Sequence, residues 1–251
     1  MGRARAVCSA VVFMLAAGLT GCGAGPVPPS ITVFAAASLE AVFTEIAEQF
    51  KVDNPGVAVA FNFAGSSDLA TQLALGARAD VFASANTTQM DKVAQAGLVD
   101  GSAVPFATNT LAIVTAPGNP HHVRSFADLA LPGLAVVVCQ EPVPCGAATS
   151  KVAQATGVEI TPVSEEPDVT DVLGKVTTGQ ADAGVVYRTD ALHAGDKVAT
   201  IEFPEAAGAV NTYPIAVLRE APRPGPGRAF MDLVTGEQGS RMLRAAGFGK
   251  P

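Results

Sequence analysis

Apolar positions along this chain fall into two alternating rhythms. Short unbroken apolar runs mark strands buried on both faces. Between them, apolar residues recur every three or four positions, as in helices packed along one side. In the first half, residues 31–36 (ITVFAA), 57–63 (VAVAFNF) and 81–84 (VFAS) read as strands. Residues 39–51, 66–76 and 87–96 read as helices, the last two closed by Gly76 and Gly97. Strand 111–115 then meets a break, APGNP at 116–120, and a second alternation begins. It runs helix 126–130, strand 134–138, helices 147–155 and 169–178, and strand 183–187. Residues 212–218 (TYPIAVL) form a strand with no helix directly before it, and 227–235 and 238–246 form two closing helices.

This order predicts an α/β protein with parallel sheets covered on both faces. Two rounds of alternation split by one Gly/Pro break predict two α/β lobes. Strands near 108–115 and 211–218 cross between them as hinge strands, and the closing helices return to the first lobe. Lobe 1 is then 31–107 with 219–251, and lobe 2 is 108–218 including the hinge strands. There is no internal repeat.

The first thirty residues stand outside this pattern. Arg3 and Arg5 precede an apolar run at 6–18, short for a membrane span and suited to an export signal. Leu19-Thr20-Gly21-Cys22 is similar to a bacterial lipobox, which implies cleavage of 1–21 and lipidation of Cys22. The residues also fit a plain secretory signal or an uncleaved N-terminal helix; the small residues before a cysteine favour the lipoprotein. Gly/Pro-rich 22–30 is then a tether.

Charge and cysteines narrow the function. The formal charge is −7, with no Lys/Arg cluster, which disfavours nucleic-acid binding. Any anion must be held by local dipoles against that field. Of four cysteines, Cys8 leaves with the signal and Cys22 takes lipid. Cys139 and Cys145 remain, outside the membrane. A bridge between them would close a short loop and contribute about 2 kcal/mol; two free thiols are the alternative.

Four loop-to-helix junctions place small polar groups or bare N–H groups where unpaired donors and a positive dipole end suit an anion. They are Ser38 in AAASLE, Ser66-Ser67 in FAGSSDLA, Cys145-Gly146 in PVPCGAAT, and Asp168-Val169 in EEPDVTDV. An ordinary helix cap explains each one alone. Tyr187 ends the apolar strand ADAGVVY, at the strand edge where open α/β sheets bind ligands; the plain reading is a tyrosine at a core margin. Enzymatic motifs are missing. There is no G-x-S-x-G elbow, P-loop or dinucleotide fingerprint. His121-His122 reads as a solvated loop pair, the acids are scattered, and His193 completes no recognisable triad.

ITVFAAASL, FAGSSDLATQLALGARADVFASA, VPCG, DVLGKVTTGQADAGVVYRTDA and YPIAVL together resemble the periplasmic molybdate-binding proteins of ABC importers, over residues 31–248. The resemblance implies a type II periplasmic binding protein fold whose lobes close over one tetrahedral oxyanion, molybdate or tungstate, held by neutral donors. By motif these are the hydroxyl and N–H of Ser38 and of Ser66, the N–H of Cys145, the N–H of Val169 and the hydroxyl of Tyr187. Ser38 would cap its helix as well. Molybdenum would enter only as the oxyanion, bound through oxygen, with no protein–metal ligand and no cofactor. The expected partner is a membrane ABC permease, and the protein is expected to be an extracytoplasmic, lipid-anchored monomer without enzymatic activity. The chain departs from the family pattern at Cys145, where alanine is expected, and at Gly65, where serine is expected. Asp68 and Asp168 are expected to stay off the anion. The other readings are the same fold tuned to another oxyanion such as sulfate, a secreted hydrolase using Ser38 or Ser66, and a ligand-free structural lipoprotein.

Overall fold

The computed structural model describes residues 30–251. The expected signal 1–21, the lipidated Cys22 and tether residues 23–29 lie outside the described residues. Ser30, expected to end the tether, already opens the first strand.

The strands are β1 (Ser30–Ala36), β2 (Ala58–Ala64), β3 (Val81–Ala83), β4 (Val104–Asn109), β5 (Leu111–Thr115), β6 (Val136–Cys139), β7 (Ser164–Glu166), β8 (Ala183–Tyr187), β9 (Ala199–Ile201) and β10 (Asn211–Val217). The helices are α1 (Glu40–Asp53), α2 (Ser66–Ala74), α3 (Thr87–Gln95), α4 (Pro144–Thr156), α5 (Val169–Thr177), α6 (Arg188–Ala194), α7 (Pro224–Thr235) and α8 (Glu237–Ala245). They build two five-stranded sheets, ordered β2-β1-β3-β10-β4 and β7-β6-β8-β5-β9. Each follows one plan: three parallel strands, then one antiparallel strand, then an edge.

Each sheet keeps the expected parallel strands and adds one that runs antiparallel to its neighbours. Strands β10 and β5 enter their sheets from the side where the chain passes between sheets, so they run against their neighbours. The stretch 108–115 is two strands broken at Thr110: β4 ends in the first sheet and β5 begins in the second. The return passage precedes Asn211, and β10 lies wholly in the first sheet. Residues 126–130 form a 3-10 turn rather than a full helix.

Burial follows the apolar rhythm. On α1, Val42, Phe43, Ile46, Ala47 and Phe50 are buried, one stripe at helical spacing. Phe43 and Phe50 meet Phe230 of α7 edge to face, with ring centroids 5.8 and 5.5 Å apart. The closing helices thus pack on the first sheet's layer. Core strands such as β5 and β8 are buried along their whole length.

An aspartate ties each sheet together ahead of its third strand. Asp80 is 1 % exposed and accepts from the N–H of Thr32 (2.7 Å) and of Arg223 (2.6 Å). Asp182 accepts from the N–H of Ala135 at 2.8 Å. Asp80→Ala leaves two backbone donors without an acceptor. It should lower stability by about 2–4 kcal/mol in urea unfolding; a change below about 0.5 kcal/mol would show that water replaces the carboxylate.

Candidate functional site

Ser38, Ser66, Cys145, Val169 and Tyr187 all line one cavity between the two sheets, together with Gly65, Val143, Pro144, Asp168 and alanines 36, 37, 64 and 85. The structure thus brings together all five residues picked out in the sequence. The cavity is small: the centre of a water-sized sphere has about 10 Å3 to move in. A wider cleft of about 700 Å3 opens between α1, α6 and α8 and includes Ser38, but none of the other four.

Its hydroxyls share one arrangement. A hydroxyl has a single proton and room to accept. Ser66 Oγ accepts from the Ala85 N–H at 2.9 Å. Tyr187 Oη accepts from Asn211 Nδ2 at 2.7 Å. That amide also faces the Pro144 carbonyl at 3.2 Å, which fixes its nitrogen on this side. In both hydroxyls a fixed N–H fills an acceptor position, so the proton is free to point into the cavity. Ser38 Oγ lies 3.0 Å from Tyr213 Oη, which Asn109 Nδ2 approaches at 3.4 Å. With Asn109 donating to Tyr213 and Tyr213 to Ser38, the Ser38 proton is free as well.

Two backbone donors complete the set. Cys145 is the second residue of α4, behind Pro144, and Val169 is the first of α5. N–H groups at these positions have no intrahelical acceptor. Among the described residues no backbone carbonyl takes either; the first bond of α4 is Ala147 N–H to Val143. The cavity is therefore lined by O–H and N–H donors, with Asp168 its one carboxylate, and no lysine, arginine or histidine lines it.

A family model for bacterial extracellular solute-binding proteins matches residues 31–249. The chain belongs to this family. The molybdate-binding protein ModA of Mycobacterium tuberculosis is 59 % identical over 96 % of each chain. The protein of that description from Escherichia coli is 33 % identical over 87 % of this chain and 88 % of its own. The periplasmic molybdate-binding protein of Azotobacter vinelandii superposes with a TM-score of 0.75 at 22 % identity, over 88 % of this chain and 99 % of that one, which shows a shared fold. The protein is thus an extracytoplasmic solute-binding protein, and its family binds solutes rather than transforming them.

For a solute-binding protein, the site corrects two expectations. Ser38 does not cap its helix. It sits inside a 3-10 turn, Ala37–Leu39, that precedes α1, and neither start has a side-chain cap. Ser66 is likewise the first residue of α2 after Gly65. In both, the hydroxyl is engaged by a distant partner instead of its own helix. Asp168 does cap: its Oδ1 accepts from the Asp171 N–H at 3.0 Å. It lines the cavity, but that oxygen is turned onto α5. Burial raises the Asp168 carboxyl above its ordinary range. Asp68 is not among the lining residues.

Tyr213, Asn109, Asn211 and Asp190 escaped the sequence reading. Asn109 and Asn211 sit opposite each other where β4 pairs with β10, each feeding one tyrosine. Tyr213 did leave a signal, as the second of only two tyrosines, set in an apolar run. Asp190 Oδ2 accepts from the Tyr187 N–H at 3.1 Å. Burial pushes its carboxyl up to about 8, with Asp168 adding to the rise and the Tyr187 N–H opposing it. Burial also drives the Tyr187 hydroxyl well above its usual range, so it stays protonated.

Cys139 and Cys145 are joined, as the favoured sequence reading expected. The bridge closes the loop between β6 and α4. His121 is exposed, with Nε2 3.1 Å from Asp182 Oδ1, so the loop pair is partly anchored. No histidine lines the small cavity; His193 shares the wider cleft with Ser38, whose Oγ pairs with Tyr213 instead.

Proposed function

We propose that the protein captures molybdate, and the nearly isosteric tungstate, between two lobes and delivers it to a membrane ABC importer. The observation that carries this is the cavity's set of O–H and N–H donors with no cationic side chain, in which fixed N–H groups back the Ser66 and Tyr187 hydroxyls and the Tyr213 O–H backs Ser38. Such a cavity suits a tetrahedral anion with no proton of its own. Phosphate at neutral pH brings an O–H, and an unmatched buried polar group costs about 1–3 kcal/mol. Sulfate lacks the proton but is smaller, so fixed donors reach it less well. The names of the relatives support molybdate as the cargo.

In this reading Ser38 and Ser66 each give a hydroxyl and an N–H, Cys145 and Val169 an N–H, and Tyr187 its hydroxyl. The metal is cargo, held through its oxygens. The strand order supports lobes of 30–109 with 211–251 and of 110–210, a division that keeps each sheet whole. It shifts the boundaries expected from sequence. Cleavage before Cys22, lipid on that thiol and a monomeric state complete the proposal.

A thermal shift with molybdate, tungstate, sulfate and phosphate in parallel tests it. A ligand at about 100 times its Kd adds about 2.7 kcal/mol, several degrees for a chain of this size. A response to molybdate and tungstate alone is expected. A response to sulfate or phosphate would keep the fold and move the cargo, and no response would remove the oxyanion site. Cys145→Ala keeps the N–H and loses the bridge. It should lower stability by about 2 kcal/mol while Kd stays within about threefold. A hundredfold loss of affinity would make the bridge part of the site.

A further inference from the structure

Gly65 joins β2 to α2, with φ −57° and ψ 135°. Any residue adopts those angles, so backbone conformation does not call for glycine here. Room does. A Cβ at this position would fall on the Pro167 carbonyl oxygen, well inside the 3.0 Å that real Cβ atoms essentially never cross, and 3.5 Å from Val143 Cγ1. Pro167 and Val143 belong to the other sheet's connections. Pro167 directly precedes Asp168 and Val169, and Val143 directly precedes Pro144 and Cys145. The missing side chain thus lets a carbonyl of one lobe seat on the backbone of the other, beside donors from both.

We propose that Gly65 is the closure stop of this protein: the bare backbone there sets how near the lobes approach, and so the size of anion that all five residues grip at once. The inference rests on reading the cavity as an oxyanion site between lobes. The obstructing atom is a backbone carbonyl, which cannot swing aside as a flexible side-chain tip can. In this chain, with the Pro167 carbonyl seated where it is, a side chain at 65 must hold the lobes apart. A hydrogen bond between the lobes lies in the same seam. Gln89 of α3 donates from Nε2 to the Pro142 carbonyl at 2.7 Å, and a wedge would stretch it too. Hydrogen bonds weaken steeply with lost geometry, so parting the lobes weakens the donors of one lobe or the other.

Calorimetric titration of the wild type, Gly65→Ala and Gly65→Val with molybdate, tungstate, sulfate and phosphate tests this, alongside ligand-free melting temperatures. Molybdate affinity should fall roughly tenfold in Gly65→Ala and roughly a hundredfold in Gly65→Val, graded with side-chain size. Sulfate, spanning less of a widened gap, should lose at least as much. Gly65→Ala should melt no lower than wild type without ligand, since alanine suits these angles and lobes free to part relieve the clash with the Pro167 carbonyl. Affinities within twofold across the three proteins would overturn the closure stop, as would a loss that tracks a lower ligand-free melting temperature. If the wild type takes sulfate in place of molybdate, the cargo reading fails and the same ratios on sulfate judge the closure stop. Wild type binding none of the four overturns both.

Discussion

Replacing Ser38 and Ser66 together with alanine lowers molybdate affinity by roughly a hundredfold or more, and either change alone by roughly tenfold or more, with the fold intact. Each hydroxyl offers a charge-assisted bond to a dianion, worth about 1.5–3 kcal/mol, and about 1.4 kcal/mol is a factor of ten. The substitutions remove one oxygen each from buried positions and leave the backbone donors in place. Each change also has a side effect. Ser66→Ala strips the Ala85 N–H of its acceptor, so a stability loss of about 1 kcal/mol accompanies the loss of affinity. Ser38→Ala strips the buried Tyr213 O–H of its acceptor, since Asn109 only donates to that oxygen, so a similar loss accompanies it. Calorimetry and urea unfolding on the three variants separate these effects. Unchanged Kd in the double variant would refute the assignment of both hydroxyls.

The other large effect is on pH. Desolvation pushes the half-buried Asp190 carboxyl up to about 8, whereas in an unfolded chain an aspartate ionises near 3.9. Between those values the folded protein binds a proton that the unfolded chain has released, so stability falls as pH rises across the window and levels off above it. Asp168, also raised by burial, acts in the same direction. The melting temperature should therefore decline from pH 5 to pH 8 more steeply in wild type than in Asp190→Asn. Anion binding follows the same group. At neutral pH an uncharged Asp190 stands behind Tyr187, which stays protonated, as does Tyr213, raised in the same way by burial. Above pH 8 a carboxylate appears there and repels a dianion. Affinity should drop roughly tenfold between pH 7 and 9 in wild type and much less in Asp190→Asn. Parallel profiles in the two proteins would show that Asp190 is ionised throughout.

What the sequence disclosed, and what it hid, divide along physical lines. Strands β1, β3, β5 and β8 were legible because they are unbroken apolar runs buried on both faces. Strand β4 carries Pro105, and β7 and β9 are three-residue edges with exposed positions, so periodicity passed over them. The antiparallel strands were read as crossings, but their direction depends on where the chain returns, which no local pattern encodes. At the site, Ser38, Ser66, Cys145 and Val169 stood out as helix starts, and Tyr187 as a polar tip on an apolar strand; the family resemblance made them a set. The partners that aim their protons were hidden. Tyr213 is 175 positions from Ser38, and Asn211 reaches Tyr187 across the passage between sheets. Gly65 was visible as a departure from the family pattern, yet its use emerges only beside Pro167.

The most direct test is diffraction at the molybdenum absorption edge from crystals grown with molybdate. The account predicts one strong anomalous peak inside the small cavity, with the oxyanion's oxygens on the hydroxyls of Ser38, Ser66 and Tyr187 and the N–H groups of Cys145 and Val169. A peak in the wider cleft near His193, or none in a protein that binds molybdate in solution, would contradict it.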